Sequence, residues 1–159
     1  MKRKKITATI DGISYKIDSY EHTTEFGNRN KDTVAEFLKD SYEGNIDENY
    51  NLSNGYSYIF VTMTYTNNTD EQVEILRNAG AFYIINDDLE RLQVGDPGGI
   101  YIDNYWTEGK ENERYHYVLG AGESVTSEVG YIIQDEWMSE DSKYIYYCIK
   151  GIDSKTNDM

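Results

Sequence analysis

Cysteine is nearly absent. Cys148 stands alone among the 159 residues, so no internal disulfide can form and a hydrophobic core must hold the fold. Proline occurs once, at Pro97, and no low-complexity tract interrupts the chain. Basic charge is scarce, with 15 Lys and Arg against 29 Asp and Glu, for a net charge of −14. Such a surface repels phosphate backbones and anionic lipid, which argues against a nucleic-acid partner. Long apolar runs are missing too. No stretch approaches the roughly 20 apolar residues of a membrane span, so membrane insertion by this chain is not expected. The start, MKRKK, resembles the charged end of a signal peptide. The residues after Lys5 alternate polar and apolar and lack the apolar core of about 7–15 residues that such a signal needs. Cytosolic residence and export as a trimmed domain both fit this pattern.

Aromatic residues are plentiful, with 16 Tyr, 4 Phe and 2 Trp. Together with β-branched residues and scattered Asn, Asp and Gly, they favour strands over helices. The clearest strand signal is YSYIFVTMTYTNNTDE, residues 56–71. Ile59, Val61, Met63 and Tyr65 are apolar, whereas Thr62, Thr64 and Thr66 are polar. This period of two predicts one buried face, with the threonine side turned to solvent or a partner. Tyr58 and Phe60 break the polar side, so part of the second face should be covered as well. Asn67, Asn68, Thr69 and Asp70 end the strand with turn chemistry.

Ile6–Ile10 and Ile13 to about His22 read as strands joined by the tight turn Asp11-Gly12. Thr33 to Glu36 fits a capping box, and Val34, Phe37, Leu38 and Tyr42 share one helical face. These signals predict one short helix over about residues 34–41, stopped at Gly44. Val73 and Ile75 mark a short strand expected to pair with its predecessor. Further strands are expected over 81–85, 89–94, 100–106, 115–119, 125–133 and 144–150. The spacing predicts an all-β, immunoglobulin-like antiparallel β-sandwich of about 8–9 strands with that one helix in an insertion. A single domain over residues 1–152 should leave a frayed tail at 153–159.

Chemistry-bearing residues are sparse. His22 and His116 form no metal-binding pair, and Cys148 inside YIYYCIKG reads as a small buried apolar residue. No metal and no cofactor is expected. The weak calcium candidates are Asp135, Glu136, Glu140 and Asp141. Calcium wants roughly six to eight oxygens, and these acids lack the usual loop spacing. A glycosidase needs two carboxyls roughly 5–9 Å apart, and a sequence so rich in acids nominates no pair. Gly95 to Gly99 lacks the features of a phosphate loop. The binding candidates are aromatic: Tyr101, Tyr105, Trp106 and Trp137 lie in or beside polar loops. Rings there suit a sugar-binding or protein-binding face, or else plug the ends of the sandwich.

Four segments, KITATIDGISYKIDSYEHT, YSYIFVTMTYTNNTDEQVEI, AFYIINDD and VLGAGESVTSEVGYII, occur in that order. Together they resemble the telokin-like, immunoglobulin-like domain of bacterial lipoproteins and secreted proteins. Asn67, Asn68, Thr69 and Asp70 match its middle turn. Gly122 and Glu123 match its late turn, although Ala121 stands where proline is usual. The resemblance implies an immunoglobulin-like sandwich that is secreted or displayed at a bacterial cell surface, with room for a lipid anchor upstream. It supplies no catalytic residue. The expectation is a non-enzymatic domain binding a protein or glycan partner. A carbohydrate-active hydrolase with paired carboxylates and a purely structural module are the alternatives.

Overall fold

The computed structural model describes residues 7–77, 80–85, 91–93, 99–103, 115–138 and 144–149. Residues 80–85, 91–93, 137, 138 and 144–149 are described by their backbone alone. The architecture is an antiparallel β-sandwich, with one short α-helix among the described residues. Ten strands lie among the described residues: β1 Thr7–Ile10, β2 Ile13–Thr23, β3 Tyr56–Asn67, β4 Val73–Leu76, β5 Gly80–Ile85, β6 Arg91–Gln93, β7 Tyr101–Ile102, β8 His116–Leu119, β9 Ser124–Gln134 and β10 Tyr144–Ile149. β6 and β7 are the strands expected over 89–94 and 100–106, shortened to three and two residues. The ten strands form a five-stranded sheet ordered β1-β2-β3-β9-β7, a three-stranded sheet β10-β5-β6 and a two-stranded ribbon β4-β8.

The threonine-rich strand is central, as its patterning requires. β3 pairs along its length with β2 on one side and β9 on the other. Its odd residues Ile59, Val61, Met63 and Tyr65 are buried with Val129, Tyr131 and Ile133 of β9. Ile75 of β4 and Leu119 of β8 close over this face, so the ribbon forms the opposing layer. β4 therefore pairs with β8, Val73 opposite Leu119, rather than with β3 as its position in the sequence suggested. The turn after Asn67 carries the chain across to the second layer instead of doubling it back.

On the even face, the half at Tyr58 and Phe60 is sealed. Phe26, Val34, Leu38 and Leu52 from the segment between β2 and β3 pack there with Ile100, Tyr101 and Ile132. Burying each large ring contributes about 2–3 kcal/mol. The helical expectation changes in detail. Asn30 caps a 3-10 turn over Lys31–Thr33, Val34 is extended and bridges Tyr101, and the α-helix α1 spans only Leu38–Ser41. The Thr33 hydroxyl donates to Asn30 O at 3.0 Å, and Phe37 at the helix N-cap makes no side-chain cap. Burying Val34 against the sheet outweighs the local capping box.

The Asp11-Gly12 turn is formed, with Ile10 opposite Ile13 and positive φ at both turn residues (49° and 77°). A bulge between Ile17 and Ser19 then reverses the parity of β2. It places Glu21 opposite Phe60 on the even face, whereas Ser14 and Lys16 reach that face with the opposite parity.

Candidate functional site

Beyond Phe60 the even face of the central sheet has no covering layer among the described residues. Cross-strand partners Lys16, Thr64 and Thr126 form one row, and Ser14, Thr66 and Ser124 the next. The hydroxyls bond one another along these rows. Thr64 Oγ1 lies 2.8 Å from Thr126 Oγ1, and Thr66 Oγ1 lies 2.7 Å from Ser124 Oγ. Thr64 also donates to Asp18, which pairs with Lys16 at 2.8 Å. Asn68 Nδ2 donates to Ser14 Oγ at 2.6 Å. β-Branched threonines have few χ1 choices, and these bonds fix them further. The result is an ordered polar surface.

Arg29 bounds that surface. Its Nε donates to Glu128 Oε1 at 2.7 Å and its Nη2 to Glu21 Oε2 at 2.6 Å. Its Nη1 donates to Phe26 O at 3.0 Å. The guanidinium carbon lies 3.4 Å from the centre of the Phe60 ring. Partial burial lowers the Arg29 pKa, but the hydrogen bonds and charges of Glu128 and Glu21 outweigh it and the net direction is upward. This fork ties the segment between β2 and β3 to two strands at once. Gly130 makes room for the Phe60 ring beneath it, because a Cβ there would sit 2.8 Å from Phe60 Cε1 and 3.1 Å from Tyr101 Cβ. A second arginine, Arg77, is wholly buried. It donates to Ser127 Oγ at 2.8 Å, while its carbonyl accepts from the Tyr65 hydroxyl at 2.6 Å. Burial lowers its pKa. Both arginines serve the fold.

Two recesses flank the sealed half. One, lined by Ala35, Glu36, Phe37, Gly99 and Tyr115, is widely open. The other is a cleft of about 160 Å³ lined by Asn54, Gly55, Tyr56, Gln134 and Glu136. Tyr56 opens β3 and Gln134 closes β9, directly opposite it. The Asp135 N–H donates to Gly55 O at 2.7 Å, and Ser57 Oγ donates to the Asp135 carboxylate, so the two walls are pinned together. Tyr42 meets the Tyr56 ring edge-on, with centroids 5.2 Å apart and planes at 82°.

Of the aromatic binding candidates, Tyr101 is 3% exposed and packs edge-to-face on Phe26 and Phe60. Burial, then Glu128 and Asp103, push its phenol up to about 12. An exposed ring at Tyr101 is therefore not what the fold provides: β7 pairs with β9 and places it inside. Tyr105 and Trp106 lie outside the described residues. Trp137 lies on the 3-10 turn Asp135–Met138, next to Glu136 of the cleft. Among the weak calcium candidates, Asp135 and Glu136 are exposed on that turn, and Glu140 and Asp141 lie outside the described residues. No group of three or more His, Cys, Asp or Glu is placed to hold a metal among the described residues. His116 pairs with Glu74, on the ribbon, and Cys148 sits opposite Ala81 in the β10-β5 register. Arg29, Asn54, Tyr56 and Gln134 were not singled out from the sequence. Arg29 reaches Glu21 and Glu128 through the folding of the segment between β2 and β3, and Asn54, Tyr56 and Gln134 meet at the cleft through the β3-β9 register; neither leaves a local motif.

No family model and no curated protein matches the chain. Solved structures do resemble it. A functionally unknown protein from Listeria monocytogenes EGD-e aligns with a TM-score of 0.53 at 13% identity, covering 89% of this chain and 68% of that one. The yjhA protein from Bacillus subtilis aligns with a TM-score of 0.50 at 8% identity, covering 98% and 88%. An uncharacterized beta-sandwich protein from Clostridium difficile 630 aligns at 0.45 with 12% identity, covering 95% and 93%. At these identities the likeness is one of fold.

Proposed function

We propose that this chain is a non-enzymatic binding domain, secreted or displayed at a bacterial cell surface, whose partner is a protein or a glycan. The observation that carries the reading is the division of the even face of the central sheet. Its one half is sealed by the segment between β2 and β3. Its other half presents rows of hydroxyls held by one another, including Thr64, Thr66, Ser124 and Thr126. A preorganised polar face loses little side-chain freedom when a partner docks. The telokin-like resemblance favours an immunoglobulin-like module and export. The marked acidity keeps such a module soluble and steers it from anionic surfaces. The arginines that stand out electrostatically, Arg29 and Arg77, are engaged in holding layers together.

The test is a glycan array together with a pull-down from a bacterial surface proteome, each followed by a saturable titration of the purified full chain. Specific binding to a glycan or a surface protein is expected, without turnover of a polysaccharide panel. Absence of binding to both, or hydrolysis of any polysaccharide, sinks the proposal.

A further inference from the structure

We infer that the cleft between the start of β3 and the end of β9 is a glycan subsite that takes one neutral pyranose ring. This rests on the reading as a binding domain and names both the ligand class and the site.

The lining carries the chemistry that sugars need. Pyranose hydroxyls donate and accept at once, so they are best met by groups offering both. The cleft is lined by Asn54, Tyr56, Gln134 and Glu136, whose side chains carry two amides, a phenol and a carboxylate. Asn54 Nδ2 donates to Gly44 O at 3.2 Å and to Asn45 Oδ1 at 3.0 Å, and its Oδ1 remains as an acceptor. The side chains of Gln134, Tyr56 and Glu136 have no hydrogen-bond partner among the described residues. Gln134 is nevertheless half-buried. A partly desolvated amide without a partner is a poor outcome for folding alone, and a ligand's hydroxyls would satisfy it.

Size and shape agree. The volume of about 160 Å³ is that of a single sugar ring. The Tyr56 ring is fixed by Tyr42, and an aromatic ring held in place suits the apolar C–H face of a pyranose. An apolar peptide side chain would leave the amides unpaired. Anionic sugars would meet Glu136 within a chain of net charge −14.

The test is an amide chemical-shift titration of the full chain with cellohexaose, chitohexaose, maltohexaose, mannohexaose and, as the anionic arm, a galacturonate hexamer, each taken to millimolar concentration. At least one neutral oligosaccharide should shift the amides of Asn54, Gly55, Tyr56, Gln134 and Glu136, and the anionic one should not. Gln134→Ala should weaken that binding about tenfold with an unchanged unfolding midpoint. Glu136→Ala, at an exposed position, gives a second readout should Gln134→Ala fold poorly, and should also weaken binding. Failure of every neutral oligosaccharide to shift these amides, or a preference for the anionic one, overturns the inference. Capture of a surface protein through the threonine face without any sugar response would overturn it while leaving the binding-domain reading intact.

Discussion

Asn68 donates its backbone N–H to the carbonyl of Gly12 at 2.9 Å, so the turn that ends β3 docks on the turn that joins β1 to β2. The approach is close. A Cβ at Gly12 would lie 2.5 Å from Thr69 Cγ2, and Gly12 already has φ +77°. Gly12→Ala should therefore cost about 2–4 kcal/mol, part from the left-handed backbone and part from the clash. Thr69→Ser removes the methyl group while keeping the hydroxyl. In the Gly12→Ala background it should recover the clash component alone. Chemical denaturation of the four chains of this cycle checks the coupling, and strictly additive effects would show that the two turns do not touch.

Arg29 should behave as a fork rather than as a simple positive charge. Arg29→Ala removes the stacking on Phe60 and leaves Glu128 and Glu21 facing each other across β3, at a cost of about 2–3 kcal/mol. Arg29→Lys retains the charge but cannot donate to both carboxylates from a rigid plane, so it should recover less than half of that loss. The check is the urea midpoint, read with fluorescence and with near-ultraviolet circular dichroism for the aromatic cluster. Full recovery by lysine would contradict the geometric account.

The Asp47 carboxylate gives a pH signature. It accepts the backbone N–H of Asn51 and of Asn49, each at 2.8 Å, and the Asn51 side-chain amide at 3.1 Å. These bonds, the Asn51 backbone first, hold its pKa below the ordinary 3.8. A depressed carboxyl stabilises the folded loop above the unfolded pKa, and that contribution disappears as pH falls through the lower folded value. Side-chain NMR titration should place the Asp47 midpoint below 3.8. Corrected for its intrinsic pH dependence, amide exchange at Asn49 and Asn51 should speed up as pH falls from about 3.8 to that midpoint and change no further below it. In Asp47→Asn the acid-dependent change in exchange should vanish.

Much of the sandwich is legible in local pattern. The alternation from Ile59 to Tyr65 reports the buried face of β3, and Tyr58 with Phe60 reports that the other face is half covered. Both signals survive because strand periodicity is local and burial acts on each residue in turn. The capping box at Thr33 to Glu36 is equally local, yet it gives way. Val34 finds a bridge to Tyr101 that its neighbours in sequence do not reveal. Likewise β4 looks like the return arm of a hairpin until the turn before it is seen to cross layers. The cleft was only partly legible: Glu136 stood among the acids, but Tyr56 and Gln134 meet through a register between strands some 70 residues apart. Long-range register leaves no mark in composition.

Asn67 shows what that crossing turn requires. It is wholly buried at the end of β3. Its Nδ2 donates to Glu71 O at 2.7 Å, Gly120 O at 3.0 Å and Leu119 O at 3.3 Å. Its Oδ1 accepts the Thr69 N–H at 3.0 Å and the Thr69 hydroxyl at 2.7 Å. One amide thus binds its own turn and the end of β8 in the opposing layer, which is why the chain crosses there. Asn67→Ala should cost about 2–4 kcal/mol, because it leaves several carbonyls and a donor unpaired in a buried site. Asn67→Asp keeps the acceptor for Thr69 but turns a second oxygen towards the carbonyls of Glu71, Leu119 and Gly120. Near neutral pH it should therefore destabilise at least as much as alanine, and it should regain stability as pH falls and the carboxyl takes up a proton. Thermal unfolding of both variants across the acidic range distinguishes this from simple loss of volume, since alanine would show no such recovery relative to the wild-type chain.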